Sequence, residues 1–201
     1  MIKRNLLVMG LAVLLSACGF QLRGTGTTEL AIKELDLSAR NAYGDTVTQL
    51  RQVLESSGVK VYSGAPYKLY LADEQENQRI LSYAGAGRTG EYQVTTVLNY
   101  DIVGEHNLNL LSDKLEVQKV FIHDGNNLVG SDQEANDARN ETRREMVQRM
   151  MLRLQQLTPG QLEKLQQAAN DRARAEADAL KAAQKAEAET PRQSPLELPQ
   201  Q

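Results

Sequence analysis

The stretch Tyr92–Val103, YQVTTVLNYDIV, has the clearest pattern in this chain of 201 residues. Apolar or aromatic side chains recur at every second position, and the residues that share one face are Tyr92, Val94, Thr96, Leu98, Tyr100 and Ile102. Most of the other face is polar: Gln93, Thr95, Asn99 and Asp101. A period of two predicts a strand with one face on a core and the other facing solvent or a partner.

Further extended segments lie on both sides of this strand. On its carboxyl side, Gly104 to Asn109 reads as a loop and Leu110–His123 as the next strand. The alternation slips near Gln118–Lys119, which predicts a bulge, and Asp124 to Asn127 forms a turn. On its amino side, three segments are expected to be extended: residues 31–37, Val59 to Asp73 with a bend at Gly64 and Pro66, and Arg79 to Tyr83.

Two helices are predicted around these strands. The first runs from a cap at Asp45 to about Ser57, with Gly58 as a left-handed stop. Ser131 and Glu134 have capping-box spacing and predict the start of a longer helix. Its apolar stripe comprises Met146, Val147, Met150, Met151, Leu154 and Leu157, at the spacing of a buried helix face. Thr158–Gln161 ends it and offers a new cap with a proline at the first helical position.

The element order strand, helix, several strands, long helix predicts an α+β domain. We expect two helices packed on one face of a small, mostly antiparallel four-stranded sheet. Residues 159–201 differ in composition, because residues 168–188 contain ten alanines among charged residues and Pro-rich polar sequence follows. Without a wide apolar face, this tail is predicted to be a solvated helix or a frayed, disordered segment, and no second domain.

Composition excludes several classes of function. The chain has 23 basic and 26 acidic residues, a net charge of -3, so no global positive field attracts nucleic acid. One cysteine excludes an internal disulfide framework and a cysteine-cluster metal site, and two histidines do not build a zinc site alone. His106 and His123 have no evident nucleophile beside them. We therefore expect no metal, no cofactor and no enzymatic activity.

Residues 85–90, GAGRTG, match the letters of a dinucleotide-binding loop. That mechanism requires a strand before the loop and a helix after it, so that phosphate meets the helix-terminal amides. A strand follows here instead. The glycines therefore predict a hairpin tip at which Arg88 is exposed and free to reach an anion.

The amino terminus reads as a lipoprotein signal. Lys3 and Arg4 precede ten uncharged residues, Leu6–Leu15, which as a helix reach about 15 Å, half of a bilayer core. Leu15-Ser16-Ala17-Cys18 follows and resembles the bacterial lipoprotein box, in which the thiol is acylated and the cysteine becomes the first mature residue. Removal of residues 1–17 leaves 21 basic against 26 acidic residues, a mature charge of -5.

Several fatty chains on Cys18 predict stable membrane anchoring. Gly19 stands where an aspartate would resemble an inner-membrane retention signal in enteric bacteria, so the outer membrane is the expected host.

The mature start, Cys18 to Gly24 (CGFQLRG), resembles that of the lipopolysaccharide-assembly lipoproteins of the LptE (RlpB) family. Glu91-Tyr92-Gln93 at the entry of the central strand and the element order agree with the same family. The resemblance covers residues 18–158, which are expected to form an LptE-like domain, and leaves the tail outside.

The resemblance implies a protein without catalytic activity. It implies a plug and assembly partner inside the β-barrel LptD, at the periplasmic face and in the barrel lumen, which assists transport of lipopolysaccharide to the outer leaflet. Basic residues around the hairpin and near the start of the last helix are linked to ligand contact in the family. Arg88 matches the first position, while Val129-Gly130-Ser131 has no lysine at the second.

Lipopolysaccharide carries phosphates, so direct contact requires exposed Lys or Arg side chains. The candidates are Arg79 and Arg88 at the hairpin and Lys114 and Lys119 on the neighbouring strand, and ordinary solvated strand charges are the alternative reading.

Two other hypotheses about the protein's function stay open from the residues. One is a lipid-anchored binding module for another barrel-assembly machine or a cell-wall partner. The other is a lipid-anchored hydrolase, for which only His106 and His123 are available.

Overall fold

A computed structural model describes residues 30–84 and 89–189. The predicted signal segment, Cys18 and Arg88 lie outside these ranges. The described residues form five strands and three helices in the order β1 (Glu34–Ala39), α1 (Asp45–Ser56), β2 (Lys60–Val61), β3 (Tyr67–Ala84), β4 (Thr89–Val103), β5 (Asn109–Asp124), α2 (Leu128–Gln156) and α3 (Pro159–Glu189).

The strands form one mixed sheet in the order β2-β1-β3-β4-β5. Strand β1 pairs in parallel with β2 and with β3, and β3, β4 and β5 are antiparallel. The α+β class is confirmed, but the expectation of four strands is wrong. Strand β2 has two residues, too few to show a period-two pattern in the sequence.

Residues 79–83 do not form a separate strand but belong to β3. The register of β3 on β4 shifts at Ala72 and at Leu81. Each shift moves the following side chains to the other face, because side chains alternate along a strand. One continuous strand therefore looks like two in the sequence.

The prediction for β4 is confirmed, since it is flanked on both sides and its core-facing side chains Val94, Leu98, Tyr100 and Ile102 are at most 1% exposed. The predicted bulge at Gln118–Lys119 is wrong. Pairing of β4 with β5 is unbroken there, and the shift lies between Ile102 and Val103. Lys119 is charged at a core-facing position because its ammonium reaches Glu141 of α2, at 2.6 Å.

Helix α1 spans the predicted residues, but its start was misassigned. The N-cap is Gly44, which offers no side-chain cap, and Asp45 is the first helical residue. The Asp45 carboxylate instead pairs with Arg143 of α2 at 3.3 Å. Gly58 has a φ of 83°, as a left-handed helix stop requires.

Helix α2 begins three residues before the predicted capping box. The Asn127 side chain caps it by accepting a hydrogen bond from the Gly130 amide at 3.1 Å. The buried Ser131 hydroxyl accepts from the Asp124 amide at 2.7 Å and donates to the Asp124 carbonyl at 3.0 Å. Ser131 therefore fastens the helix to the end of β5, which is why it is not a cap.

The core lies between the sheet and the two helices α1 and α2, as expected. The predicted apolar stripe of α2 is confirmed, with Met146, Met150 and Leu154 at most 1% exposed. These side chains meet Leu50 and Leu54 of α1 and the inner face of the sheet. The opposite face of the sheet, called the open face below, carries Arg79, Gln93, Thr95, Asn99, Lys114 and Gln118.

Helix α3 starts with the predicted cap: the Thr158 amide donates to Gln161 Oε1 at 2.9 Å and the Gln161 amide donates to Thr158 Oγ1 at 3.3 Å. Its first half is solvated on one side only, since Leu162 and Ala169 are buried in the core. All residues from 174 to 189 are exposed. The solvated helix that composition predicts therefore begins only after residue 173.

Candidate functional site: the open face and the distal end

One end of the sheet is called the distal end here, and it comprises residues 80–83, 89–92 and 120–124 with the start of α2. Seven of the eleven large apolar side chains that are exposed in the described residues lie there: Ile80, Leu81, Tyr83, Val120, Ile122, Leu128 and Val129. Exposed apolar groups gathered in one region are typical of binding surfaces. The distal end is therefore the first candidate for a functional site.

Aromatic rings stand together at this end. The ring centroids of Tyr92 and His123 are 4.9 Å apart, and those of Tyr92 and Phe121 are 5.8 Å apart. Phe121 packs on Ala135 and Ala138 of α2. A shallow cavity of about 330 Å³ is lined by Tyr83, Thr89, Gly90, Tyr92, His123, Gly125 and Asn126. Aromatic faces beside polar groups suit an amphipathic ligand.

A chain of polar side chains crosses the open face next to this end. Arg79 Nε donates to Gln93 Oε1 at 2.6 Å, and Gln93 Nε2 donates to Gln118 Oε1 at 2.6 Å. Gln118 Nε2 in turn donates to Glu116 Oε1 at 2.5 Å. This series of hydrogen bonds links β3, β4 and β5. Part of the Arg79 guanidinium stays exposed to solvent.

The structure separates the predicted basic residues. Arg79 lies opposite Gln93 and Lys114 opposite Asn99, six positions along β4, which is about 20 Å. Lys119 lies on the helix-covered face, where Glu141 pairs with it. Lys119 pairs with Val94, at the same level of β4 as Arg79, so of the three only Arg79 combines this level with a place on the open face.

The two histidines lie at opposite ends of the molecule. His123 pairs with Gly90 at the distal end, whereas His106 lies in the turn after Gly104, fourteen positions along β4, about 45 Å. No joint catalytic site of the two is possible at that separation. In residues 30–84 and 89–189 no group of three or more His, Cys, Asp or Glu side chains is placed to hold a metal ion.

Asp113, on the inner face of β5, is an ionisable group with a shifted pKa and a structural role. The Lys114 amide and the Arg153 guanidinium both donate to its carboxylate and hold the pKa of Asp113 below its ordinary value. Burial raises the pKa of the adjacent Tyr100 phenol. This cluster joins the end of α2 to the sheet, so it is a structural contact.

Sequence reasoning missed the aromatic cluster and the apolar side chains of the distal end. Tyr83 and Tyr92 lie on the two sides of the glycine-rich segment 85–90, and His123 lies near the end of the next strand, which is the signal that could have found them. The exposure of Ile80 and Ile122 had no such signal in the sequence, because exposure depends on which parts of the sheet the helices cover.

None of the described helices is both long and apolar enough to cross a membrane. The fold itself is found in bacterial lipoproteins. Rare lipoprotein B of Shewanella oneidensis superposes with a TM-score of 0.55 at 19% identity, over 60% of this chain and 92% of that one. Lipoprotein B of Nitrosomonas europaea gives 0.56 at 20% identity, over 69% and 89%.

The domain therefore has the fold of a class of small α+β lipoproteins. Sequence comparison then identifies the family. The family model described as lipopolysaccharide-assembly, LptE, matches residues 32–154. The LPS-assembly lipoprotein LptE of Pectobacterium atrosepticum is 29% identical over 155 residues, 74% of this chain and 83% of that protein. The chain belongs to the LptE family, as its mature start suggested.

Proposed function

We propose that this protein is an outer-membrane lipoprotein that acts as plug and assembly partner of the LptD β-barrel in lipopolysaccharide transport. The observation that carries the proposal is the family match over residues 32–154, which spans β1 to the last core turn of α2. The protein has no catalytic role in this proposal. It is anchored by acylated Cys18 at the periplasmic face of the membrane, and its domain occupies the barrel lumen.

The surface of the domain supports this role. The open face presents a row of amide, hydroxyl and charged groups, among them Gln93, Gln118 and Asn99, which suits the polar interior of a large barrel. The distal end presents apolar and aromatic groups. A plug with a polar flank and an apolar end can contact a polar wall and an amphipathic ligand at the same time.

Direct contact with lipopolysaccharide is part of the proposal. Arg79 lies on the open face next to the distal end, Arg88 belongs to the segment between β3 and β4, and a guanidinium is suited to bind phosphate. The rings of Tyr83 and Tyr92, on the helix-covered side of the sheet at the same end, supply apolar contact. Lys114 and Lys119 complete the basic candidates, although Lys119 first has to leave Glu141.

The test is mild detergent extraction of the tagged full-length lipoprotein, with identification of its partners by mass. We expect a stoichiometric complex with a large barrel protein, and a mature chain that begins with triacylated Cys18. A Cys18→Ala variant is the control for anchoring. Recovery of the processed lipoprotein as a monomer without a barrel partner would contradict the proposal.

A second experiment separates the proposal from a hydrolase. The double variant His106→Ala, His123→Ala is expected to keep its barrel complex and its function in lipopolysaccharide transport in cells. Loss of that transport with the fold and the complex preserved would revive an enzymatic role.

A further inference from the structure

Along the outer edge of β5, the backbone groups near both ends have hydrogen-bond partners, and those in the middle of the described strand have none. Strand β5 is the last strand of the sheet, so the backbone groups of every second residue point away from β4. The groups at even positions point outward, because Arg149 donates to the Glu116 carbonyl at 2.6 Å and Asp113 accepts from the Lys114 amide at 2.8 Å. At the distal end, Ser131 accepts from the Asp124 amide.

Gln118, Val120 and Ile122 lie between these positions, whose outward backbone groups have hydrogen-bond partners. Within residues 30–84 and 89–189, no group donates to or accepts from their outward amides and carbonyls. Edge strands of soluble proteins are normally protected by prolines, by inward charges without partners, or by covering elements. Here Val120 and Ile122 are 50% and 56% exposed, and the one charge, Lys119, is paired. This segment is a ready acceptor for another strand.

The surroundings of this edge define the strand that fits. A strand added beside β5 has one face next to Val120 and Ile122 on the open face of the sheet, where apolar side chains pack. The other face of the added strand is on the helix side of the sheet, next to the outer flank of α2. Glu134, Glu141 and Glu145 occupy that flank at helical spacing; Lys119 pairs with Glu141 and Arg149 with Glu145, and Glu134 has no ion pair among the described residues. That face favours a basic side chain.

A second copy of this chain fits the edge poorly. Two copies paired edge to edge about a two-fold axis have both α2 helices on the same face. Their acidic flanks then lie opposite each other, and Glu134 of each chain approaches acids of the other. Like charges brought together in this way oppose association.

We propose that the edge from Gln118 to Ile122 accepts, as an added strand, an extended segment of the barrel partner outside its closed wall, apolar on one face and basic on the other. The inference rests on the proposed function and names the contact by which the plug is held. Main-chain hydrogen bonds to three successive outward residues supply affinity, and Val120, Ile122 and Glu134 supply selectivity for the strand.

The experiment uses the full-length lipoprotein co-expressed with the barrel protein, with a photo-crosslinking residue in place of Gln118. We expect an adduct with an extended segment of the barrel protein. The variant Val120→Pro removes only an outward amide, so the β4–β5 ladder stays intact, and we expect at least a tenfold loss of the adduct. Ser112→Pro is the matched control. The Ser112 amide also points away from β4, but Ser112 lies outside the segment from Gln118 to Ile122, so this variant should keep the adduct.

Hydrogen exchange keeps the test decisive if Val120→Pro disturbs folding. In the wild-type chain, the amides of Gln118, Val120 and Ile122 should exchange at least tenfold more slowly in the barrel complex than in the isolated lipoprotein. An intact barrel complex with unchanged exchange, or adducts only to lipid or to a second copy, overturns the strand proposal alone. Absence of any barrel complex with the wild-type chain overturns the proposed function as well.

Discussion

The two halves of the long strands β3, β4 and β5 have opposite relations to solvent. In the half under α1 and α2, Leu69, Leu98 and Ile102 are at most 1% exposed. In the distal half of the same strands, Ile80 is 43% exposed and Tyr83 64%. Both halves carry large apolar side chains. The difference teaches that the covered half provides most of the free energy of folding, while the exposed side chains of the distal half are free to bind.

The largest expected effect is in the covered half. Leu98→Ala removes a buried side chain from the central strand and leaves a cavity, so we expect the free energy of unfolding to fall by about 3 kcal/mol. Ile122→Ala, in the distal half, is the control and should cost less than about 0.5 kcal/mol. Urea denaturation of both variants measures the two values, and similar losses would contradict the division of the strands.

Helix α3 is also divided into a part that contacts the core and a part that is exposed. A chain that ends after Thr158 loses the buried Leu162 and Ala169, and we expect it to be less stable by about 2–3 kcal/mol. A chain that ends after Ala173 loses only exposed residues and should unfold at the same urea concentration as the full chain. If both truncations leave the midpoint unchanged, the contact of α3 with the core adds nothing to stability.

A smaller effect is expected at the Asp113–Arg153 contact. Because the pKa of Asp113 is lowered in the folded chain, its ionised form stabilises the fold above the unfolded pKa of about 4, and this contribution is lost as the pH falls through the lower folded pKa. Asp113→Asn should cost about 1 kcal/mol at pH 7. The difference from the wild type should shrink below pH 4, as followed by urea denaturation at several pH values.

The smallest effect is predicted at the exposed distal rings. Tyr83→Ala should change the free energy of unfolding by less than about 0.5 kcal/mol, because the ring is 64% exposed. Thermal unfolding monitored by circular dichroism measures the change. A large loss of stability would show that the distal end belongs to the folding core.

Local sequence patterns predicted the elements that they determine. Strand β4 repeats its period over twelve residues and is flanked by two partners, so pattern and burial agree. The stripe from Met146 to Leu154 and the cap at Thr158 are determined within one or two helical turns. The sequence predicted these features because they depend only on residues within the same segment.

Features that depend on distant contacts were missed or misread. Lys119 looked like a slipped register because its partner, Glu141, is 22 residues away. Strand β2 exists only because β1 offers it a parallel edge. Leu162 is buried only because the chain turns at the end of α2 and directs α3 back onto the sheet. The predicted ligand residues Arg79, Lys114 and Lys119 share a sheet but not a location, since faces and positions along strands follow from the register.

Strand β1 also has a consequence for the order in which the chain folds. Both of its partners are parallel and lie later in the sequence, with Leu37 paired to Leu69 across 32 residues. The hairpins of β3, β4 and β5 close over short loops, whereas β1 has to wait for distant residues at a larger entropic cost. A chain that emerges amino terminus first therefore has only the two-residue β2 to pair with β1 until β3 arrives, and this late step is where a chaperone has the most time to act.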